Sequence, residues 1–280
     1  MGSAGHPRGR LAILAGAGRF PFHVAQAAAR QGQAVTAFGL RGWVDRGLAQ
    51  QVPAYEEVDV GRIGTLLERL KALQITDVIM AGKVTKDVLL TQAHTFDAET
   101  QALVQGARDM SVNGLLGALA QRLAREGITL RDSAELLQDQ LCPEGVVTRR
   151  APTGEESADV RVGIEAARAL AAQDVGQTVV VKRQVVVAAE ALDGTDRTIQ
   201  RARDLAGPGL VVVKMASAVQ DRRFDLPVVG PDTIATLRVC GATCLAVHAG
   251  WTLLLDRETT ITAANDAGMC VLGVRVPAGG

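Results

Sequence analysis

From Leu11 to Gly82 the chain alternates short apolar runs with amphipathic segments, and this alternation restricts the fold more than any other feature. LAILAG (11–16) leads into a glycine turn, AGRFP (17–21), and then into the alanine-rich FHVAQAAARQGQ (22–33), which closes near Gly32. A buried strand, a turn and a helix are the reading. AVTAFG (34–39) is a second strand, EEVDV (56–60) a weaker third, GTLLERLKAL (64–73) a helix and DVIMAG (77–82) a fourth strand. Strands separated by helices must pair in parallel and be covered on both faces, so a Rossmann-like α/β domain is expected over 11–140. A long helical stretch follows around 97–126, with Leu103, Leu115, Leu116, Leu119 and Leu123 as its apolar stripe and Gly127 as its end.

At 280 residues the chain exceeds the comfortable size of one core, which points to two domains. The segment CPEGVVTRRAPTGEES (142–157) has the prolines, glycines and mixed charge of a domain entrance, so the boundary is expected near Gln140 and a C-terminal mixed α/β domain over 141–280. There DVRVGIEAARALAAQ (159–173) reads as a helix, and TVVVKRQVVVAAEAL (178–192) as two valine strands turned about Lys182, Arg183 and Gln184. Further elements are expected as helix 195–205, strand 210–214, a polar loop to Pro227, helix 232–240, strands 244–248 and 251–255 turned at Ala249-Gly250, helix 257–267 and strand 269–274. The glycine-rich Met1–Arg10 reads as a disordered tail.

Composition excludes several classes of function. Thirty basic residues balance thirty acidic ones, leaving no net field for a polyanion, so nucleic acid is not an expected partner. No apolar run approaches the roughly 18 residues of a spanning helix. Four cysteines, Cys142, Cys240, Cys244 and Cys270, are too few and too irregular for a disulfide framework, which implies a reducing compartment and the cytoplasm. His6, His23, His94 and His248 lack metal-ligand spacing, and no G-x-S-x-G elbow occurs.

Three segments have the residue types of a phosphate site. Gly16 and Gly18 follow the first strand, where glycines let backbone approach a phosphate, although a tight turn explains them equally well. The full dinucleotide fingerprint is absent, since Pro21 stands where its third glycine belongs and Gly39-Leu40 end the second strand without an acid. Lys83 ends the fourth strand and is either an anion contact or a solvated loop lysine. In the second half, LDGTDRTIQR (192–201) puts Asp193 and Asp196 at a helix start, where capping accounts for one of them. Lys214 then leads into a loop in which Gln220, Asp221, Arg222, Arg223 and Asp225 fall within six positions. Such a loop is ordinarily solvated charge, but carboxylates for a hard cation and arginines for phosphate oxygens are what phosphoryl hydrolysis requires.

AGAGRFP (15–21), MAGKVTKD (80–87), DVGQTVVVK (174–182), EALDGTDRTIQR (190–201) and VVVKMASAVQDRRFDLPVVGPDTI (211–234) together resemble the LpxI-type UDP-2,3-diacylglucosamine diphosphatases of lipid A biosynthesis, over 11–276. The resemblance implies a two-domain enzyme that hydrolyses the pyrophosphate of UDP-2,3-diacylglucosamine to 2,3-diacylglucosamine 1-phosphate (lipid X) and UMP, by attack of water on the β-phosphorus. It implies a requirement for Mg2+ or a similar divalent cation. It places the essential aspartate at Asp225, with Asp221 as a second catalytic and metal residue and Asp196 as a third acid. Gly16, Gly18, Lys83, Thr195, Lys214, Gln220, Arg222 and Arg223 are the candidate substrate contacts. A substrate with two acyl chains implies peripheral contact with the inner membrane, and a homodimer is possible.

The chain departs from the family pattern twice. Val112, Asn113 and Gly114 stand where Gly-Asp-Asp precedes Leu-Leu, and Ser217-Ala218 where Lys-Pro is usual. The alternative function is a non-catalytic nucleotide-sugar or lipid binding protein on the same scaffold.

Overall fold

A computed structural model describes residues 9–84, 96–109, 112–216, 221–223 and 226–275. The chain divides into two compact units: one runs up to Leu137 and takes in Asp221–Arg223 as well, and the other begins at Gln138 and holds the rest of the described chain. The expected division at 140/141 compares with Leu137/Gln138 here. Of the expected tail, residues 1–8 lie outside the described residues. Arg10 is tied down, because its carbonyl accepts the Thr76 N–H at 3.0 Å and its guanidinium donates to the Leu73 carbonyl.

The first unit contains strands β1 (Leu11–Ala15), β2 (Val35–Leu40), β3 (Ala54–Val58), β4 (Asp77–Ala81) and β5 (Thr129–Leu130), all parallel in the order β3-β2-β1-β4-β5. Helices α1 (Phe20–Arg30), α2 (Ile63–Ala72), α3 (Ala98–Gly106) and α4 (Val112–Arg125) complete it. Side chains alternate along a strand. Ala12 and Leu14 accordingly join one core with Leu66, Leu67 and Leu70 of α2 and Leu119 and Leu123 of α4. The buried face of α1 covers the other side of the sheet. The helix expected over 97–126 is two helices, because α3 ends at Gly106 and a polar connection precedes α4.

At the carboxyl end of this sheet the chain leaving β1 pairs closely with the chain leaving β4. Ala17 and Lys83 exchange two backbone hydrogen bonds of 2.9 Å, and Gly16 N–H donates to the Ala81 carbonyl at 2.8 Å. A Cβ on Gly82 would lie 2.7 Å from the Gly16 carbonyl carbon, and Gly82 has φ +94. Gly82→Ala is therefore expected to cost about 2–4 kcal/mol from the left-handed backbone and the clash together. Urea unfolding of the two proteins checks this, and an unchanged midpoint would show that the crossing can open without cost.

The second unit has a six-stranded mixed sheet ordered β6-β13-β11-β9-β7-β8. Its strands are β6 (Gly145–Val146), β7 (Thr178–Lys182), β8 (Val185–Ala189), β9 (Leu210–Lys214), β11 (Ala242–His248) and β13 (Cys270–Val274). Strands β9, β11 and β13 are parallel, and β7 and β6 run against them. Helix α5 (Gly154–Ala172) packs Val160 and Ala167 against Val211 and Val213 on one face. Helices α6 (Thr195–Ala206), α7 (Pro231–Val239) and α8 (Arg257–Asp266) cover the other, where Ile199, Ile234 and Ala264 meet Leu210, Val212 and Leu245. The expected valine hairpin forms. Its two turn residues, Arg183 and Gln184, have φ 49 and 61, as a tight two-residue turn requires. No glycine is present there, and the buried Asp159 carboxylate instead accepts both of their N–H groups.

Two expectations for the second unit need correction. Residues 244–248 and 251–255 do not form a hairpin, because both edges of β11 are already taken by β9 and β13. Strand β12 (Leu253–Leu254) instead pairs in parallel with β10 (Val228–Val229), and Cys142 N–H donates to the Thr252 carbonyl at 2.8 Å. Helix α5 also starts five residues before the expected 159, since Thr153 and Glu156 form a capping box that the prolines and charges around them obscured.

Candidate functional site

The candidate residues fall into two groups, one in each unit. In the first unit, Gly16 and Lys83 form the backbone crossing already described, which accounts for Gly16 by packing alone. Gly18 has φ +91 with open space where a side chain would stand, just before α1, whose N-terminus has no side-chain cap. The Lys83 side chain is exposed.

Asp221–Arg223 also belong to the first unit, and its own side chains hold them there. Ser133 Oγ donates to the Arg223 carbonyl at 2.7 Å, and its N–H donates to the Arg222 carbonyl at 3.1 Å. The Arg222 guanidinium donates to Asp132 at 2.9 Å. Arg223 clasps the Asp221 carboxylate with Nε at 2.9 Å from both oxygens. Burial would raise the Asp221 pKa, but the hydrogen bonds and charge of Arg223 hold it below the ordinary carboxylate range. Both arginines expected to bind phosphate thus pair with acids of their own unit. Gln220 and Asp225 lie outside the described residues, as do Ser217 and Ala218, while Asn113 and Gly114 sit in the first turn of α4.

In the second unit the carboxyl ends of β8, β9 and β11 share one edge of the sheet with the amino end of β7 and the start of α6. Valine-rich β9 delivers Lys214 there, and the residue is only 8% exposed. Its ammonium donates to Thr195 Oγ1 at 2.9 Å and to Thr178 Oγ1 at 3.4 Å. Thr195 Oγ1 in turn donates to Glu190 Oε1 at 2.9 Å. Burial pushes Glu190 upward, but Lys214 and hydrogen bonds from Thr178, Thr195 and the Gln177 backbone outweigh it and keep the carboxyl ionised.

The two acids at the start of α6 have different settings. Asp193 accepts from the Ala191 N–H at 3.0 Å and from Arg201 at 3.0 Å, which closes the turn. Asp196 is exposed in the first helical turn, where the helix dipole favours a negative charge.

Sequence reasoning did not single out Thr178, Glu190, Asp132 or Ser133. Only their positions at strand or helix ends could have marked them. His248 ends β11 stacked on Trp251 at 5.7 Å between ring centroids, and its buried Nδ1 has no hydrogen-bond partner among the described residues. Burial lowers its pKa against a hydrogen bond to the Ala216 backbone. All four cysteines are buried and free, and burial pushes the Cys142 thiol up to about 11. Among the described residues, no three His, Cys, Asp or Glu side chains gather as a metal site.

A buried ammonium and a helix N-terminus at a strand edge suit an anionic phosphate ligand. Such an edge recurs in unrelated enzymes, and comparison with known proteins narrows it. Against two solved structures, phosphoribosylglycinamide synthetase from Anaerococcus prevotii and biotin carboxylase from Campylobacter jejuni, identity is 13% and 10% and the TM-score 0.24 for both. Those alignments take in 73% and 71% of this chain but 44% and 42% of theirs, too weak a superposition to define a common architecture. The UDP-2,3-diacylglucosamine pyrophosphatase LpxI of Caulobacter vibrioides is 30% identical over 276 residues, covering 95% of this chain and 97% of that protein. The LpxI N-terminal domain model matches residues 10–140 and the LpxI C-terminal domain model residues 143–272. With both domains matched in order along almost its whole length, the chain belongs to the LpxI family.

Proposed function

We propose that this protein hydrolyses the pyrophosphate bond of UDP-2,3-diacylglucosamine in lipid A synthesis, releasing UMP and 2,3-diacylglucosamine 1-phosphate. The observation that carries this is the match to the Caulobacter enzyme over 95% of the chain. The Lys214 edge supports it chemically: among the described residues the ammonium donates to two threonines, which leaves its third N–H for a phosphate oxygen. Held in place beforehand, that charge stabilises the transition state at little reorganisation cost.

Water attacks the β-phosphorus in this proposal, so that UMP departs and the new oxygen stays on the sugar phosphate. A divalent ion, if used, supplies charge neutralisation at the pyrophosphate. Asp225 is our candidate ligand for it. The described residues do not by themselves make a site that fits such an ion, since Arg223 already clasps Asp221.

We further propose that the protein works in the cytoplasm, touching the inner membrane surface peripherally and reversibly to reach an acylated substrate, and that a homodimer is compatible with this role. No helix among the described residues is long and apolar enough to cross a membrane.

Incubation with UDP-2,3-diacylglucosamine in oxygen-18 water, with and without magnesium, tests the reaction. UMP should appear unlabelled, with the label in 2,3-diacylglucosamine 1-phosphate. Label in UMP would mean attack at the α-phosphorus. Tight binding without UMP in either condition would replace the enzyme with a binding protein.

A further inference from the structure

We infer that Glu190 is a positioning residue that sets the Lys214 ammonium through the Thr195 hydroxyl. The inference rests on the proposed role of Lys214 at the pyrophosphate and names what prepares it.

Hydrogen-bond direction leads to this assignment. An ammonium can only donate and an ionised carboxylate can only accept. Lys214 Nζ stands 2.9 Å from Thr195 Oγ1, and Thr195 Oγ1 stands 2.9 Å from Glu190 Oε1. The single hydroxyl proton of Thr195 must therefore point at Glu190, leaving its lone pairs to the ammonium. Thr195, expected from the sequence to contact substrate, has no proton left to offer one. Glu190 Oε2 also accepts the Gln177 backbone N–H at 3.2 Å. Only a carboxylate accepts at both oxygens. A glutamine here would present its NH2 to one of the two donors and break one of the bonds.

A buried charge pair is a weak source of stability, since desolvation offsets most of its Coulombic gain, and an apolar pair of similar volume usually folds as well. The neighbours of Lys214 along β9 are valines, so the strand does not need a lysine to be buried. What the hydroxyl-bridged pair of charges adds is a cation fixed in position. The relay joins the ends of β7, β8 and β9 and the start of α6, at the edge where parallel strands deliver their ligand contacts.

The test is a double-mutant cycle on the full chain with Glu190→Gln and Thr195→Val, measuring kcat and KM for UDP-2,3-diacylglucosamine. Each single variant is expected to lose about tenfold in kcat/KM, and the double variant about the same tenfold, because both cut the shorter bridge at 2.9 Å, the Thr178 hydroxyl standing farther from the ammonium at 3.4 Å. Thr195→Ser, which restores the hydroxyl, should recover most of what Thr195→Val loses. Losses that multiply in the double variant would overturn the inference, since they would mean that Thr195 and Glu190 act separately.

A second readout needs no turnover. The chain has five lysines, so nitrogen-15 lysine labelling gives a simple spectrum, in which Lys214→Arg identifies the Lys214 ammonium. Its slowly exchanging Nζ–H signal should be present in the wild type and lost in the nearly isosteric Thr195→Val and in Glu190→Gln. A signal unchanged in both would also overturn the relay. If the wild type releases no UMP, the proposed function fails, and the spectrum still decides whether Glu190 holds Lys214.

Discussion

Asp225→Ala is expected to lower the turnover of UDP-2,3-diacylglucosamine by about 10³-fold while the protein stays folded and still binds substrate, because the carboxylate we propose as a divalent-ion ligand at the pyrophosphate would contribute to the transition state rather than to the core. The residue lies outside the described residues, and its assignment comes from the family resemblance of the R-F-D-L-P segment. The chain just before it has defined anchors: Asp132 and Ser133 hold Arg222 and Arg223, and Arg223 holds Asp221. Steady-state kinetics in saturating magnesium, with substrate binding followed by calorimetry, separates the outcomes. A near wild-type rate would remove Asp225 from the chemistry, and a lost thermal transition would make its role structural.

The second large effect concerns stability. Glu156 is 9% exposed and accepts from the Arg150 guanidinium at 2.7 and 2.9 Å and from the Thr153 N–H at 2.8 Å. The Thr153 hydroxyl in return accepts the Glu156 N–H, so one carboxylate closes both the helix cap and the ion pair. Arg150 also reaches the carbonyls of Gly268 and Thr243, tying the segment before α5 to the sheet. Glu156→Ala leaves that guanidinium without its carboxylate and removes the capping box, an expected loss of about 3 kcal/mol.

The pH dependence follows from the same contacts. Burial alone would raise the Glu156 pKa, but hydrogen bonds from Arg150, Thr243 and the Thr153 backbone, together with the Arg150 charge, bring it down from 4.5 to about 2. A group depressed in the folded state stabilises above its unfolded pKa and loses that contribution as pH falls through the folded value. The contribution should therefore be complete above about pH 5 and fade toward pH 2. Urea midpoints of wild type and Glu156→Gln should differ most near pH 7 and converge on acidification. A gap independent of pH would show that the charge of Glu156 does not matter.

Much of the architecture was legible because it is local. Alternating apolar runs and helical stripes announced the parallel sheet of the first unit, and the valine repeats announced the hairpin of the second. Other features depended on groups far away in sequence. The 251–255 segment has the pattern of a hairpin partner for β11, and only the occupation of both β11 edges sends it to β10. Arg222 and Arg223 have the composition of a phosphate grip, yet their partners are Asp132 and Asp221, the first of them 90 residues away.

The candidate site divides along the same line. Lys214 and Thr195 were visible as chemistry-bearing residues at element ends, and the ordered segments around them were enough to suggest the family. Glu190 and Thr178 were not visible, because nothing in EAL or QTV distinguishes a buried relay from ordinary strand ends. By itself the sequence determined which residues turn toward a core and where strands stop, since a side-chain period of two or 3.6 residues is written in neighbouring positions. Only the tertiary structure decided which polar groups meet. A buried donor must find an acceptor wherever packing leaves one, and for the Lys214 ammonium, the Thr195 hydroxyl and the Glu190 carboxylate that choice was made by three strands and a helix closing on the same edge.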